Sequence, residues 1–202
     1  MTSRIRFNDA NDVFEAFPTL GRFAPAPTEP SEPLDYARRL NGMPPPQAAI
    51  AFISHLLPRR EAVWWAAQCV SAIIDGAAQD EGFKLATRWV REPDDALRRE
   101  ALAYAESHDL NLAATWLARA VGYSGGSLAA PDQPPSPPLT DACAQSVNAA
   151  VIVAATRTPS PMIGPWIRAC AVAGVRFAAG EDAKVIAPPV SRGFPANAAP
   201  AA

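Results

Sequence analysis

The sequence predicts an all-α protein: a single compact multi-helix domain of about eight helices, built as α-solenoid-like antiparallel hairpins and interrupted by one long proline-rich loop. Three observations predict it. Apolar residues recur at three- and four-residue spacing and almost nowhere alternate with period two, which is a helical pattern. The 22 prolines cluster between the periodic segments, as residues that lack an amide donor and clash with the preceding helical turn should. The chain is 49% hydrophobic with five tryptophans, and a domain of this length buries roughly 70% of its unfolded surface, so material for a packed core is present.

Residues 1–33 are mixed polar and proline-rich and are expected to form an irregular arm. Its segment VFEAFPTLGRF carries Phe14, Phe17, Leu20 and Phe23, a row suited either to docking on the helical body or to binding a partner. The helical domain is placed at 34–179. Pro33-Leu34-Asp35-Tyr36 opens a short helix that Asn41-Gly42 ends. Pro46 stands at the first helical position of QAAIAFISHLL, where an amide has no intrahelical partner anyway, and Pro58 repeats that device for PRREAVWWAAQCVSAII. A fourth helix over 80–90 has the stripe Phe83, Ala86, Trp89 and Val90, and Pro93-Asp94 starts a fifth. Asp109 is the expected cap of a sixth, whose apolar face is Ala113, Trp116, Leu117 and Ala120. Thr140 is the expected cap of a seventh, apolar all round from 147 to 155, as a central helix would be. An eighth is expected over 165–179, followed by a disordered Ala/Pro tail at 180–202.

The stretch GYSGGS at 122–127 matches Gly-x-Ser-x-Gly, the nucleophile elbow of serine hydrolases. That elbow needs a strand before the serine, a helix after it and a histidine downstream. Here a helix precedes Ser124, a proline loop follows, and the two histidines, His55 and His108, lie upstream. The glycines therefore read as a structural turn ending a helix. They also lack the lysine of a phosphate-binding loop. Neither histidine has a cysteine or carboxylate at helical spacing to complete a metal site. No catalytic residue, cofactor or metal is expected.

Net charge is −2 with both signs interspersed, which gives no electrostatic footprint for nucleic acid or an anionic membrane. The longest apolar run, 149–155, is far short of the roughly 20 residues that span a bilayer. Cys69, Cys143 and Cys170 lie among apolar residues without C-x-x-C spacing and read as buried reduced thiols. Together with a start that has no apolar leader, they point to the cytoplasm. The pairs Arg38-Arg39, Arg59-Arg60 and Arg98-Arg99 read as solvated helix faces.

Two features point outward. Adjacent helical residues diverge by about 100°, so Trp65 shares the apolar stripe of Cys69, Ala72 and Ile73 while Trp64 falls with Gln68, Ser71 and Asp75. Trp64 covers a second packing surface or serves as an exposed anchor. The loop SGGSLAAPDQPPSPPLT, with Pro134, Pro135, Pro137 and Pro138, exceeds the roughly 12–15 residues at which structureless loops become uncommon. It is either a strap across the body or a polyproline ligand for a partner.

The segments EAVWWAAQCV, ATRWVREPDDALRREALAYAE, WLARAVGYSGGSLAAPDQPPSPPLT and SVNAAVIVAATR, in that order, resemble an uncharacterised bacterial family, a domain of unknown function, over about residues 34–178. Its pattern is a W-W helix, a W-V-x-x-P helix start, a G-G-S-L turn, a proline loop and a Val/Ala-rich helix. Members are sometimes encoded among type VI secretion genes. The resemblance implies no activity and no catalytic residues. The expectation is a non-enzymatic cytoplasmic adaptor whose partner is another protein, a secretion-system component, bound through Trp64, the Phe14/Phe17 arm or the proline loop. The alternative is a small-molecule binder or enzyme with a pocket between helices, built from Trp116, Arg119, Tyr123 and His108.

Overall fold

A computed structural model describes residues 3–130 and 132–188, and among these the regular structure is entirely helical. The helices are α1 (Ala10–Ala16), α2 (Pro33–Gly42), α3 (Gln47–Leu56), α4 (Arg59–Ile73), α5 (Glu81–Arg91), α6 (Asp95–Ser107), α7 (Ala113–Gly122), α8 (Ala142–Thr156) and α9 (Ser160–Ala178). Local chemistry sets most of their ends. The side chains of Asp80 and Asp94 each accept an amide hydrogen bond in the first turn of α5 and α6, and Pro46 and Pro58 immediately precede α3 and α4.

Four boundaries differ from expectation. Thr140 does not cap α8, whose cap position is Asp141 and carries no side-chain cap bond. The arm is not irregular throughout, because α1 and a 3₁₀ turn at Pro18–Arg22 lie within it. Asp9 closes a capping box with Asp12, and its second carboxylate oxygen accepts from the Ser31 amide at 2.8 Å. Ala10, Val13, Phe14 and Phe17 then recur at helical spacing, which outweighs the polar composition around them. The last helix begins at Ser160, so Pro165 sits inside it. Pro161 and Pro165 are both exposed, so the amide bond that Pro165 cannot donate is missing from the outer side of the helix. Asp109 accepts from the Asn111 amide in a tight turn, and α7 starts only at Ala113.

Helix α8 packs against α3, α4, α7 and α9, the central position its all-round apolar sequence requires. Consecutive helices α4, α5, α6 and α7 pack in succession, and α7 also meets α4 and α5, so the hairpins close on one another and meet α8 through α4 and α7. Trp65 is fully buried and donates its indole N–H to the Cys170 carbonyl of α9 at 3.0 Å. All three cysteines are buried and free. Burial pushes the Cys143 thiol up to about 12 and that of Cys69 upward as well.

The segment after α9 stays on the body. Arg176 pairs with Glu181 at 2.8 Å and Ala183 is buried, so the expected tail begins against the body, Ile186 is 67% exposed, and residues 189–202 lie outside the described residues. Among the described residues no helix is long and apolar enough to cross a membrane.

Candidate functional site

The GYSGGS turn is organised around one arginine. Gly122 closes α7 where an added Cβ would lie 2.9 Å from the Leu102 side chain on α6, so only glycine permits that approach. Arg98, on α6, has a side chain only 4% exposed. Its Nη1 donates to the Gly122 carbonyl at 3.0 Å, its Nη2 to the Ser127 carbonyl at 2.9 Å and its Nε to Asp95 at 2.7 Å. Gly126 turns the chain at φ 65°, and a Cβ there would meet the Arg98 Nε at 2.9 Å.

Two further arginines complete the fastening. Arg99 donates to the Ala129 carbonyl at 2.9 Å and to Asp95 at 2.8 Å, and Arg59 donates to the Ser124 carbonyl at 2.8 Å. The bonds from Arg98 and Arg99 hold the Asp95 carboxyl below its ordinary value. The expectation that these arginine pairs form solvated faces is corrected for Arg98, which is buried, and for Arg99, which is half-buried, whereas Arg59 is exposed as expected and still reaches the loop. Arg60 likewise donates to the Val90 carbonyl at the end of α5, at 2.6 Å. A loop without regular structure leaves carbonyls that need donors, and a guanidinium supplies five.

Within the loop, Ser127 Oγ accepts from the amides of Ala129 and Ser136, and the Leu128 amide donates to the Ser136 carbonyl at 2.8 Å. Among the described residues no hydrogen bond joins Ser124 to either histidine. His55 Nδ1 lies 2.8 Å from the Ala51 carbonyl, and His108 stacks on Tyr104 at 3.7 Å.

Held in this way, the loop forms one wall of a cleft of about 360 Å³. Helix α7 supplies Trp116 and Arg119 and its C-cap Tyr123, the loop supplies Leu128, Pro138 and Leu139, and α8 supplies Ala142, Gln145 and Ser146. The Arg119 guanidinium carbon lies 5.2 Å from the ring centroids of both Trp116 and Tyr123, within cation–π range. Its Nε and Nη2 approach the Tyr123 hydroxyl at 3.3 and 3.1 Å. Trp116 is fixed in turn by donating its indole N–H to the Leu110 carbonyl at 2.7 Å. Among the described residues Arg119 forms no ion pair, and no carboxylate lines the cleft. Leu139 is 78% exposed at its mouth.

The residues singled out from sequence are not brought together. Phe14 stacks on Phe52 at 5.9 Å and meets Tyr36 edge-on, while Phe17 meets His55 at 5.2 Å. Trp64 is half-buried in a separate recess with Gln68, Ser71, Phe177 and the segment 182–185, to which the proline loop contributes nothing. Pro134, Pro135 and Pro137 are exposed, and Pro138 alone of the four lines the cleft. Of the alternative pocket set, Trp116, Arg119 and Tyr123 do converge, and His108 does not. Leu128, Leu139, Gln145 and Ser146 were missed, since nothing local in the sequence marks them.

Among the described residues no group of three or more His, Cys, Asp or Glu is placed to hold a metal ion. The sequence profile of the Family of unknown function (DUF6931) matches residues 36–178. The chain belongs to DUF6931. The matched region contains the whole cleft, its three fastening arginines and Trp64, whereas Phe14 and Phe17 precede it. No curated protein and no solved structure matched the chain.

Proposed function

We propose that this DUF6931 protein is a non-enzymatic cytoplasmic adaptor, an accessory of a type VI secretion system, that grips another protein through the cleft between α7, the proline loop and α8. The observation that carries the reading is Leu139. A leucine left 78% exposed beside Trp116, Arg119 and Tyr123 sits on a loop that three arginines already hold in place. Aromatic residues and arginine dominate the energetics of protein interfaces, and a loop ordered in advance lowers the entropy cost of binding. The secretion link rests on the sequence resemblance alone, and it stands or falls separately from the cleft.

The experiment is a crosslinked pull-down from the native bacterium, read by mass spectrometry, with wild type and Leu139→Asp compared. Secretion-apparatus subunits recovered with wild type and lost with the variant are the expected result. Recovery of the bait alone in both cases rejects the adaptor reading. A cleft of this volume also falls in the range of small-molecule sites, so the second reading is a small apolar ligand, tested by a thermal-shift screen on the same two proteins.

A further inference from the structure

We propose that the occupant of the cleft is an acidic apolar peptide segment, whose Asp or Glu carboxylate pairs with Arg119 while its apolar side chains lie on Trp116, Leu128 and Leu139. The inference rests on the adaptor reading and names the chemistry its partner must carry.

The argument is one of charge complementarity. The cleft is lined by a single cation and no anion. The guanidinium of Arg119 is held by two aromatic rings and one hydroxyl, all neutral, and its Nη1 makes no hydrogen bond among the described residues. Of the other polar groups of the lining, the Ser146 hydroxyl and the Gln145 amide N–H are already engaged within the protein. Ser146 donates to the Ala142 carbonyl at 2.8 Å, and the Gln145 amide donates to Asp141 at 2.8 Å. The Asp141 carboxylate is itself buried against Thr19 and Gln145 and does not line the cleft. Other arginines near the loop bind its carbonyls or Asp95, so Arg119 is the one whose donors face the cleft without an oxygen acceptor other than Tyr123.

A guanidinium flanked by aromatic rings is partly desolvated on its faces, which strengthens its attraction for a carboxylate approaching along the free edge. The fork geometry admits two parallel hydrogen bonds, so a carboxylate satisfies it where a hydroxyl or amide would satisfy it only in part. A basic segment would meet an uncompensated like charge. A neutral apolar one would cover Arg119 and leave its donors without acceptors. Leu139 and Leu128 set the remaining requirement, apolar side chains on the loop side of the acid.

Random short peptides displayed on phage, selected on the immobilised full chain and counter-selected on Arg119→Gln, test this directly. Enriched peptides are expected to carry Asp or Glu flanked by Leu, Phe or Met. A synthetic copy should bind wild type and lose about tenfold or more of its affinity on Arg119→Gln, as should the same peptide with Asn or Gln in place of its acid. Arg119→Lys should fall between, keeping the charge and losing the fork. Leu139→Asp, an exposed change that leaves the fold alone, should weaken the acidic peptide as strongly. Enrichment of neutral or basic peptides, or of acidic ones that bind Arg119→Gln equally well, overturns the proposal. Peptides that map instead to the Trp64 recess overturn it too, and with it the cleft as the gripping surface, while an adaptor role through that recess would stand. No enrichment of any kind also overturns it, and the pull-down then decides the adaptor reading by itself.

Discussion

The N-terminal arm and the central loop are both proline-rich segments laid on the helical body, yet they attach to it by different physics. The arm inserts side chains. Val13 and Leu20 are fully buried, Phe14 and Phe17 pack on Phe52 and His55, the Arg4 amide donates to the Ala178 carbonyl of α9, and the Ala10 amide closes the arm on itself at Ser31. The loop inserts almost nothing. Its carbonyls are gripped from below by Arg59, Arg98 and Arg99, and Pro134, Pro135, Pro137 and Leu139 face outward. Apolar side chains at helical spacing let the first segment join the core, and a run without them needs donors borrowed from neighbouring helices. The consequence is functional. The arm is part of the core, whereas the loop displays a surface.

Predicted effects on stability separate the two modes. Leu20→Ala should cost the most, about 3 kcal/mol in urea unfolding, because it removes a fully buried side chain from the core. A loss under about 1 kcal/mol would mean the arm is not part of the cooperative unit. Arg98→Ala should cost about 2 kcal/mol by leaving the Gly122 carbonyl buried without a donor. It should also speed hydrogen exchange at the amides of Leu128 and Ser136, and unchanged exchange there would show that the loop holds itself. Gly126→Ala should cost about 1 kcal/mol, since its φ of 65° and the nearby Arg98 both oppose a Cβ.

A smaller effect is carried by pH at His55 of α3, on which the arm's Phe17 packs. Burial lowers the pKa of His55 below its ordinary 6.5, opposed in part by the Ala51 carbonyl and by Asp141. The unfolded chain then binds the proton more readily, so stability is complete above about pH 6.5 and falls as the solution is acidified below it. His55→Gln should flatten the slope of the urea midpoint between roughly pH 7 and 5.5, and an unchanged slope assigns the dependence to another group. Least of all, Pro135→Ala and Pro137→Ala should shift stability by less than about 0.5 kcal/mol, since both side chains are exposed. A larger loss from either would move the loop toward the arm's mode of attachment.

Much of the fold is legible residue by residue because helix ends are local events. Asp80 and Asp94 cap α5 and α6 through their own side chains, and Pro46 and Pro58 mark the starts of α3 and α4 within one position. Periodicity separates Trp65, fully buried, from Trp64, half-buried, and the all-round apolar run of α8 places it at the centre. The capping box at Asp9 and Asp12 was also present in the string, masked by the polar residues around it. The cleft was only partly legible. Trp116, Arg119 and Tyr123 share one face of α7 by spacing alone, which is why they could be grouped.

Their neighbours could not be found that way. Arg98 and Arg119 carry the same side chain on helices of similar pattern, yet one is buried under the loop and the other lies open between two rings. The sequence by itself determined where the helices lie, which faces are apolar and where the chain turns, because those depend on residues three and four apart. Which arginine fastens the loop and which lines the cleft was decided only in the tertiary structure, because a hydrogen-bond partner across 29 residues, as between Arg98 and Ser127, exists only once the packing of α6 and α7 has brought the two together.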